Sequence, residues 1–502
     1  MDGMPERRAA WVPAFLALLA TAWLLRIATL MASGAGLQVD EAQYWDWSRH
    51  LQWGYWSKPP AIAAVIAAST ALFGDSVLGV KLLSMLLWPL SAAVLAWLAW
   101  DMAGRGPAGQ RAGFWSAALL LGTPLAGILG MAATTDAPLM FMWSLCMAWS
   151  WRALCEPDGR SALPWWALAG LAMGLGLLSK YTMAAAGAAW AILFLLHWRR
   201  HGLGLLLAGL VALAVLAPNL WWNAGNGWPT LGHTAEITVA AQTRASNKLA
   251  SVLEYVAGQL LMVGPVALAA ALLASRRSPH AAVQAPGTVS RPSATGFALM
   301  FSLPLLLVAL AQSFNARANV NWTAPALLGI CLYLALYMAP RLGWRAWWIS
   351  TALALLLPAG ASMIGSLPQV QKQALSSARH FDLWARMRGW EPVLGELKAA
   401  LASEPDLPVA ATRRDLVVHA RYVWRDLDRA VMAWPAAGRP RHHYEQFEPL
   451  WSDPQRPPQR LLLLSDAAPS DELRRQYPQW RQVGAAQSGR VRIELWLASG
   501  PP

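Results

Sequence analysis

Long apolar segments recur along the first 365 residues of this 502-residue chain. A helix of about 17–25 apolar residues is long enough to cross the hydrocarbon core of a bilayer. Segments of roughly that length lie at 11–33, 77–100, 113–131, 137–151, 163–179, 181–198, 203–222, 255–274, 296–313, 321–338 and 345–365. The pattern predicts a polytopic α-helical membrane protein with about 11 transmembrane helices.

Basic residues between these segments predict their orientation. If the N-terminus is cytoplasmic, the loops on that side hold 13 arginines and the opposite loops hold seven basic residues. Because an excess of Lys and Arg marks the cytoplasmic side, we expect a bacterial inner-membrane protein with a cytoplasmic N-terminus. The first segment precedes the long loop 34–76 and further apolar segments, so we expect it to persist as a helix and not to be cleaved as a signal peptide.

Residues 366–502 have a different composition and hold 15 of the 27 acidic residues. Apolar or alternating runs predict strands at 407–412, 430–434, 460–464 and 491–497, and a helix at 413–425. Ser470 favours a further helix start, and the Pro-, Arg- and His-rich stretch 435–458 is expected to be loop. We therefore predict a transmembrane domain over 1–365, with an interfacial outer loop at 34–76, and a small C-terminal α/β periplasmic domain over 366–502.

Composition and charge exclude several classes of protein. Only 13% of residues are charged and 56% are hydrophobic, which excludes an ordinary cytosolic enzyme and a disordered chain. The net charge is +13, but the basic residues are scattered singly or in pairs, so nucleic acid is not an expected partner. The three cysteines have no disulfide or zinc-ribbon spacing, and a Gly-rich phosphate loop is absent from the sequence.

Acidic residues gather at the predicted outer ends of the helices. Asp40 and Glu41 directly follow the first span, and Asp136 opens the fourth. Such residues are costly near a bilayer and often functional, and carboxylates can deprotonate or orient an acceptor or bind a metal. We therefore take all three as candidate catalytic residues. For Asp136, helix capping is an alternative that can coexist with catalysis.

Three basic residues on the same predicted side could bind a phosphate. Lys58 precedes Pro59 and Pro60, Lys180 lies between two spans, and Arg317 is flanked by asparagines. Cations placed at headgroup level suit the phosphate of a membrane-borne ligand. Snorkelling towards lipid headgroups is the alternative for the lysines.

Two further groups are candidates for binding. His233 and Asp136 could contribute to a divalent metal site, although a lone loop histidine is more often simply solvated. The group Arg439, Arg441, His442 and His443 could bind an anionic acceptor, or could belong to an ordinary polar loop. The sequence predicts no cofactor with certainty.

Four motifs together resemble a known family. They are DEAQYWDWSRHLQWGYWSKPP at 40–60, TDAPL at 135–139, GLLSKYT at 176–182 and NLWWNAGNGWP at 219–229. They resemble the C-type (GT-C) membrane glycosyltransferases, in the bacterial branch similar to dolichyl-phosphate-mannose protein mannosyltransferases and lipid A aminoarabinose transferases. The resemblance covers residues 11 to about 365 well and the remainder loosely.

The resemblance implies sugar transfer from a polyprenyl-phosphate donor to an acceptor at the outer face of the membrane, usually with inversion. It implies that Asp40 acts on the acceptor or positions the donor, with Glu41 beside it, and that Asp136 matches the acid of the second outer loop. It also implies that Lys58 contacts donor phosphate. In the aminoarabinose branch an acid that helps bind a metal precedes this lysine, and here that position is Ser57.

The main hypothesis is therefore a hexosyl- or pentosyl-type glycosyltransferase of the inner membrane. Its expected partners are the bilayer, a polyprenyl-phosphate sugar donor and a lipid or protein acceptor of the envelope. The alternative is a polytopic transporter or lipid flippase, which would also need charges within the membrane. Against it, the charges gather at one face and no inverted repeat is evident. A lipid-linked oligosaccharide ligase would use the same chemistry with a larger donor.

Overall fold

The computed structural model describes residues 11–240, 248–264, 293–315, 318–338, 352, 356 and, with short gaps, 384–500. Its N-terminal part is helical, as the apolar segments predict. The helices are α1 (Trp11–Ser33), α2 (Val39–Arg49), α3 (Ala61–Phe73), α4 (Val77–Met102), α5 (Pro107–Leu121), α6 (Pro124–Leu129), α7 (Asp136–Cys155), α8 (Leu163–Ser179), α9 (Ala186–Gly225), α10 (Pro229–Ala240), α11 (Lys248–Val263), α12 (Ala294–Met300), α13 (Leu303–Asn315) and α14 (Ala326–Met338).

Several of these helices suit a membrane. Among the described residues, four stretches are long and apolar enough to cross one, namely Trp11–Ser33, Val77–Met102, Tyr181–Gly225 and Ala294–Phe314. Leu163–Ser179 and Ala326–Tyr337 are shorter apolar helices. Packed together, they surround one large apolar core that includes the buried tryptophans Trp88, Trp115, Trp143, Trp151 and Trp166.

Two of the predicted spans are interrupted. Segment 113–131 divides into α5 and α6 because Thr123 caps a new helix with its side chain and Pro124 occupies the first helical position. Segment 296–313 divides between α12 and α13, where the Ser302 hydroxyl donates to the Ala326 carbonyl at 2.9 Å. Parts of two other predicted segments, 255–274 and 345–365, lie outside the described residues.

Helix α9 reverses its direction near His197, whose backbone angles (φ −131°, ψ 20°) are not helical. The Tyr181 hydroxyl, in the short 3₁₀ turn before α9, donates to Asn219 Oδ1 at 2.6 Å, although 38 residues separate them. A straight helix would place them about 57 Å apart at about 1.5 Å per residue. The predicted segments 181–198 and 203–222 therefore lie side by side.

The segment expected to be an outer loop, 34–76, contains two helices. Because Glu41 in α2 accepts from the Gln38 backbone N–H, a capping box starts that helix. Helix α3 lies in a stretch predicted to be loop. It has only 13 residues, and its Ile62, Ala63 and Ile66 side chains are buried. It is too short to cross a bilayer and instead packs against α2 and α4.

Residues 384–500 form a five-stranded mixed sheet in the order β2-β1-β3-β5-β4. The strands are β1 (Val409–Ala411), β2 (Val431–Ala433), β3 (Arg460–Ser465), β4 (Gln479–Ser488) and β5 (Val491–Ser499), and the helices are α15 (Trp390–Ala402), α16 (Arg414–Val423), α17 (His443–Phe447) and α18 (Asp471–Gln476). Four strands and α16 lie near their predicted positions, and Ser470 caps α18 as expected. Strand β4 and α15 were not predicted, and α17 lies within the stretch expected to be loop.

One hydrophobic cluster joins α2–α4 to the C-terminal region. It unites Trp45 and Trp47 of α2 with Leu416 of α16 and Val409 of β1, all of which are buried. Polar contacts cross the same junction: Arg421 pairs with Asp46 at 3.1 Å, and His419, Tyr422, Tyr444 and Arg388 also bond to residues 33–75. The C-terminal region therefore rests directly on the segment that carries the first sequence motif.

Candidate active site

Asp40 lies in the first turn of α2, where a negative charge complements the positive end of the helix dipole. Its side chain is 44% exposed. One oxygen, Oδ1, lies 2.9 Å from Arg414 Nη1 at the start of α16. The same guanidinium nitrogen donates to Gln43 Oε1 at 2.7 Å. The accessible carboxylate of the first motif is therefore paired with a residue of the C-terminal region.

Glu41 points away from this surface, and its side chain is fully buried. Its Oε2 lies 2.7 Å from the ammonium group of Lys81, which is also fully buried. The backbone N–H groups of Gln38 and Ala133 donate to the same carboxylate at 2.8 and 2.7 Å. Although adjacent to Asp40 in the sequence, Glu41 lies behind the exposed surface and ties α2 to α4.

Asp136 is buried at the start of α7. Its Oδ1 accepts from Lys180 Nζ at 2.8 Å and its Oδ2 accepts from Asn321 at 3.4 Å. The N-cap of α7 is Thr135, which makes no side-chain cap. The Asp136 carboxylate thus links three chain segments at the end of α7, a contact that simple capping does not account for.

Lys58 lies at the end of a turn closed by the Tyr55 N–H, which donates to the Lys58 carbonyl at 3.1 Å. Burial, and next the positive charge of Lys180, lower the pKa of Lys58, whereas Asp40 and Asp136 raise it. Arg414 also lowers it. These mutual effects place the five charged side chains in one neighbourhood, which we call the polar cluster (Asp40, Lys58, Asp136, Lys180 and Arg414).

The loop that carries Lys58 is held by the end of α9. Asn219 donates to the Trp53 carbonyl and Thr230 donates to the Tyr55 carbonyl, both at 2.6 Å. A side chain at Gly54 would overlap the ring of Trp222, so glycine permits this close approach. The loop is therefore pinned by the region of the fourth motif.

The predicted acceptor-binding residues have different surroundings. Arg439 pairs with Glu236 of α10 at 2.6 Å, and Arg441 pairs with Glu445 at 2.6 Å. His442 accepts from the Glu445 N–H and so caps α17. His443 is 4% exposed and packs edge-on against Trp47, at 5.2 Å between ring centroids. His443 thus belongs to the junction, whereas the two arginines and His442 lie nearer the surface.

The predicted metal site would need a third ligand beside Asp136 and His233. Within the described part of the chain, no group of three His, Cys, Asp or Glu side chains could hold an ion. Both oxygens of Asp136 already accept hydrogen bonds, and Ser57 stands where an acid would be needed. Burial, and next Lys58, lower the pKa of His233. These residues do not fit a metal centre. Arg317, the third predicted phosphate ligand, lies outside the described residues.

Two charged partners in this region, Lys81 and Arg414, were not predicted from the sequence. An arginine in the first turn of a helix is unfavourable with the helix dipole, so Arg414 at the start of α16 was a detectable signal. Lys81, one of only six lysines, lies four residues into an apolar helix. Its buried position also suggested an ionic partner.

The chain is similar in sequence to known sugar transferases. Residues 57–222 match the family described as dolichyl-phosphate-mannose-protein mannosyltransferase. The chain is 29% identical, over 89% of both proteins, to lipid A galacturonosyltransferase RgtD of Rhizobium johnstonii. It is 34% identical, over 32% of its length and 28% of the relative's, to undecaprenyl phosphate-alpha-4-amino-4-deoxy-L-arabinose arabinosyl transferase 1 of Pseudomonas fluorescens.

A solved structure has the same fold. ArnT from Cupriavidus metallidurans, determined bound to undecaprenyl phosphate, superposes with a TM-score of 0.63. The match covers 97% of this chain and 98% of ArnT, at 17% sequence identity. The similarity therefore extends over the helical part and the C-terminal region alike.

Proposed function

We propose that the chain is a C-type (GT-C) membrane glycosyltransferase and that it transfers a sugar from a polyprenyl-phosphate donor to lipid A or a related envelope glycolipid, which its similarity to known sugar transferases supports. The main support for this proposal is the polar cluster. Its two ion pairs, Asp136 with Lys180 and Asp40 with Arg414, both influence the charge of Lys58. Such a site can activate a hydroxyl and stabilise a departing phosphate together.

In the proposed reaction, an acceptor hydroxyl attacks the anomeric carbon of the donor sugar. The new bond joins the acceptor oxygen to that carbon, and the bond from the carbon to the phosphate oxygen breaks. Asp40 accepts the hydroxyl proton, since it is the exposed carboxylate of the cluster. The polyprenyl phosphate leaves with the bonding electron pair, and its charge is neutralised by Lys58. Every step uses side chains of this chain.

The remaining members of the cluster have supporting roles in this proposal. Lys180, fixed by its 2.8 Å bond to Asp136, lies close enough to influence Lys58 and adds positive charge beside the leaving phosphate. Asp136 is a positioning residue, because its oxygens are committed to Lys180 and Asn321. Glu41 is assigned a structural role, because it is buried against Lys81.

The donor sugar is the finer part of the proposal. We favour a galacturonosyl donor, because the galacturonosyltransferase aligns over 89% of the chain, whereas the aminoarabinose transferase aligns over 32%. Purified protein in nanodiscs should be offered polyprenyl-phosphate galacturonic acid and polyprenyl-phosphate aminoarabinose, each with lipid A. Mass spectrometry of the lipid product identifies the sugar. Transfer to an envelope protein but not to lipid A would replace the proposed acceptor.

Replacing Asp40 with Asn tests the proposed base. Loss of a general base lowers the rate by about 10²–10⁴-fold, and we expect a loss in that range with unchanged protein yield and thermal stability. Asp75→Asn is the matched control, because Asp75 lies in the same segment but pairs with Arg49 outside the polar cluster. An Asp40→Asn protein that transfers sugar at the wild-type rate contradicts the assignment.

The transporter alternative is not favoured, because the relatives matched over most of the chain are glycosyltransferases. We further propose that the polar cluster faces the periplasm and that the N-terminus is cytoplasmic, which the distribution of arginines supports. A phosphatase reporter inserted after residue 104, in the turn between α4 and α5, should be inactive. A reporter fused after residue 500 should be active, and the reverse pattern would exclude the proposed orientation.

A further inference from the structure

A cavity of about 340 Å³ opens beside Asp40, between α2 and the C-terminal region. Its charged lining comes from Arg413, Arg414, Asp415, Arg441 and His442. Val39, the residue before Asp40, forms part of its wall. Three arginines therefore line the cavity, and one of them, Arg414, contacts the carboxylate that we propose as the base.

The cations of this cavity are unequally neutralised. Arg413 is held by Asp415 and Asp466 within the C-terminal region, and Arg441 is held by Glu445. Arg414 instead pairs with Asp40, across the junction. The side chains of Arg414 and Asp40 are 37% and 44% exposed, so water screens this pair and it contributes little to stability.

The rest of the lining also suits an anion. The N-terminal end of α16, a ten-residue helix without a side-chain cap, lies at the cavity and contributes the positive end of its dipole. The carboxylate of Asp415 also lines the cavity. It already pairs with Arg413 and accepts a hydrogen bond from the Leu416 N–H, so it does not repel an anion as a free carboxylate would.

We propose that this cavity binds a phosphate group of the acceptor and that Arg414 exchanges Asp40 for that phosphate. A phosphate can accept paired N–H bonds from guanidinium groups and carries more charge than a carboxylate, so it competes well for a half-exposed arginine. Once Arg414 has released it, Asp40 Oδ1 is free to accept the proton of the acceptor hydroxyl. Asp40 can therefore act as a base only when a phosphorylated acceptor is bound. This inference rests on the proposed function.

The binding step can be measured without a sugar donor. Full-length protein in nanodiscs is titrated with bisphosphorylated lipid A and with the same lipid stripped of its phosphates. We expect wild type to prefer the phosphorylated lipid by about tenfold or more, which corresponds to about 1.4 kcal/mol. Arg414→Gln should lose most of this preference. The matched control Arg425→Gln should keep it, because Arg425 bonds to the Tyr422 carbonyl away from the cavity.

The competition between Asp40 and phosphate gives a second readout. If Asp40 holds Arg414 in the empty state, Asp40→Asn should bind phosphorylated lipid A several-fold more tightly than wild type, although its rate of sugar transfer is greatly reduced. Millimolar inorganic phosphate should displace phosphorylated lipid A from wild type, which separates recognition of the phosphate from recognition of the lipid. Failure of displacement, or an Asp40→Asn affinity equal to that of wild type, contradicts the exchange.

Transfer rates complete the test. With the dephosphorylated lipid, Arg414→Gln should transfer sugar at least as fast as wild type, because Asp40 is no longer held. With the phosphorylated lipid it should be slower. A purely structural role for Arg414 would reduce both rates together and would overturn the proposal. If no donor supports transfer but phosphate-dependent binding is found, the proposed reaction fails while the binding site stands.

Discussion

Replacing Lys81 with methionine leaves the buried carboxylate of Glu41 without its ammonium partner. Both side chains are fully buried, and their charged atoms lie 2.7 Å apart. Removing one member of a buried ion pair costs about 3–5 kcal/mol, because the other charge stays in a medium of low polarity. Two backbone N–H groups still donate to Glu41, so we expect the lower end of that range, about 3 kcal/mol.

Thermal unfolding of the purified protein, followed by size-exclusion fluorescence, measures this cost. For a cooperative unit of about 150–250 residues, 1 kcal/mol shifts Tm by about 2–4 °C, so Lys81→Met should lower Tm by about 6 °C or more. The double variant Lys81→Met with Glu41→Gln should recover most of the loss, because no buried charge remains.

The same double variant separates a structural role for Glu41 from a catalytic one. If Glu41 only ties α2 to α4, the double variant should transfer sugar within about tenfold of wild type at a temperature where both are folded. A rate reduced about 10²–10⁴-fold, with a Tm equal to that of wild type, would refute the structural reasoning and favour Glu41 as a catalytic group.

Three further predictions concern other parts of the fold. Asn219→Ala removes a bond that pins the loop carrying Lys58, which we propose as the ligand of the donor phosphate, so we expect a raised KM for donor with a smaller change in kcat, measured by steady-state transfer. Burial would raise the pKa of Glu448, but a hydrogen bond from His443 and the charge of Arg421 lower it from 4.5 to about 2. Its contribution to stability should therefore be complete above about pH 4.5 and disappear as the pH falls towards about 2, an effect that Glu448→Gln should abolish in thermal scans. Asp101, near the opposite end of α4, accepts from Trp151 and Arg105 through separate oxygens, and Asp101→Asn leaves only one acceptor oxygen for the two donors, so it should lower Tm while leaving the KM for donor unchanged.

Much of the helical part could be predicted because a bilayer imposes long apolar segments that composition alone identifies. Local signals also explain the errors. Gly122, Thr123 and Pro124 form a helix end followed by a capped helix start, so the break between α5 and α6 was visible in the sequence. Helix α3 was not predicted because its 13 mostly apolar residues are too few for a span and too apolar for a polar loop.

The candidate site could be predicted only in part. Membrane sidedness places Asp40, Lys58, Asp136 and Lys180 at the same predicted surface, and the structure brings them into one cluster. The pairing of Asp40 with Arg414 could not be predicted, because it depends on how the C-terminal region docks. For the same reason, the burial of His443 against Trp47 could not be predicted for a residue expected to bind the acceptor or to belong to a polar loop.

The hydrophobic cluster that joins α2–α4 to the C-terminal region has a consequence for biosynthesis. The ribosome produces Asp40 about 370 residues before it produces Arg414 and the strands that cover α2, so most of the chain must be inserted before this side of the site can form. A nascent chain therefore carries its first motif uncovered for most of translation. The pairing of Asp40 with Arg414 is therefore completed only after the C-terminal region has been synthesised and has folded onto α2.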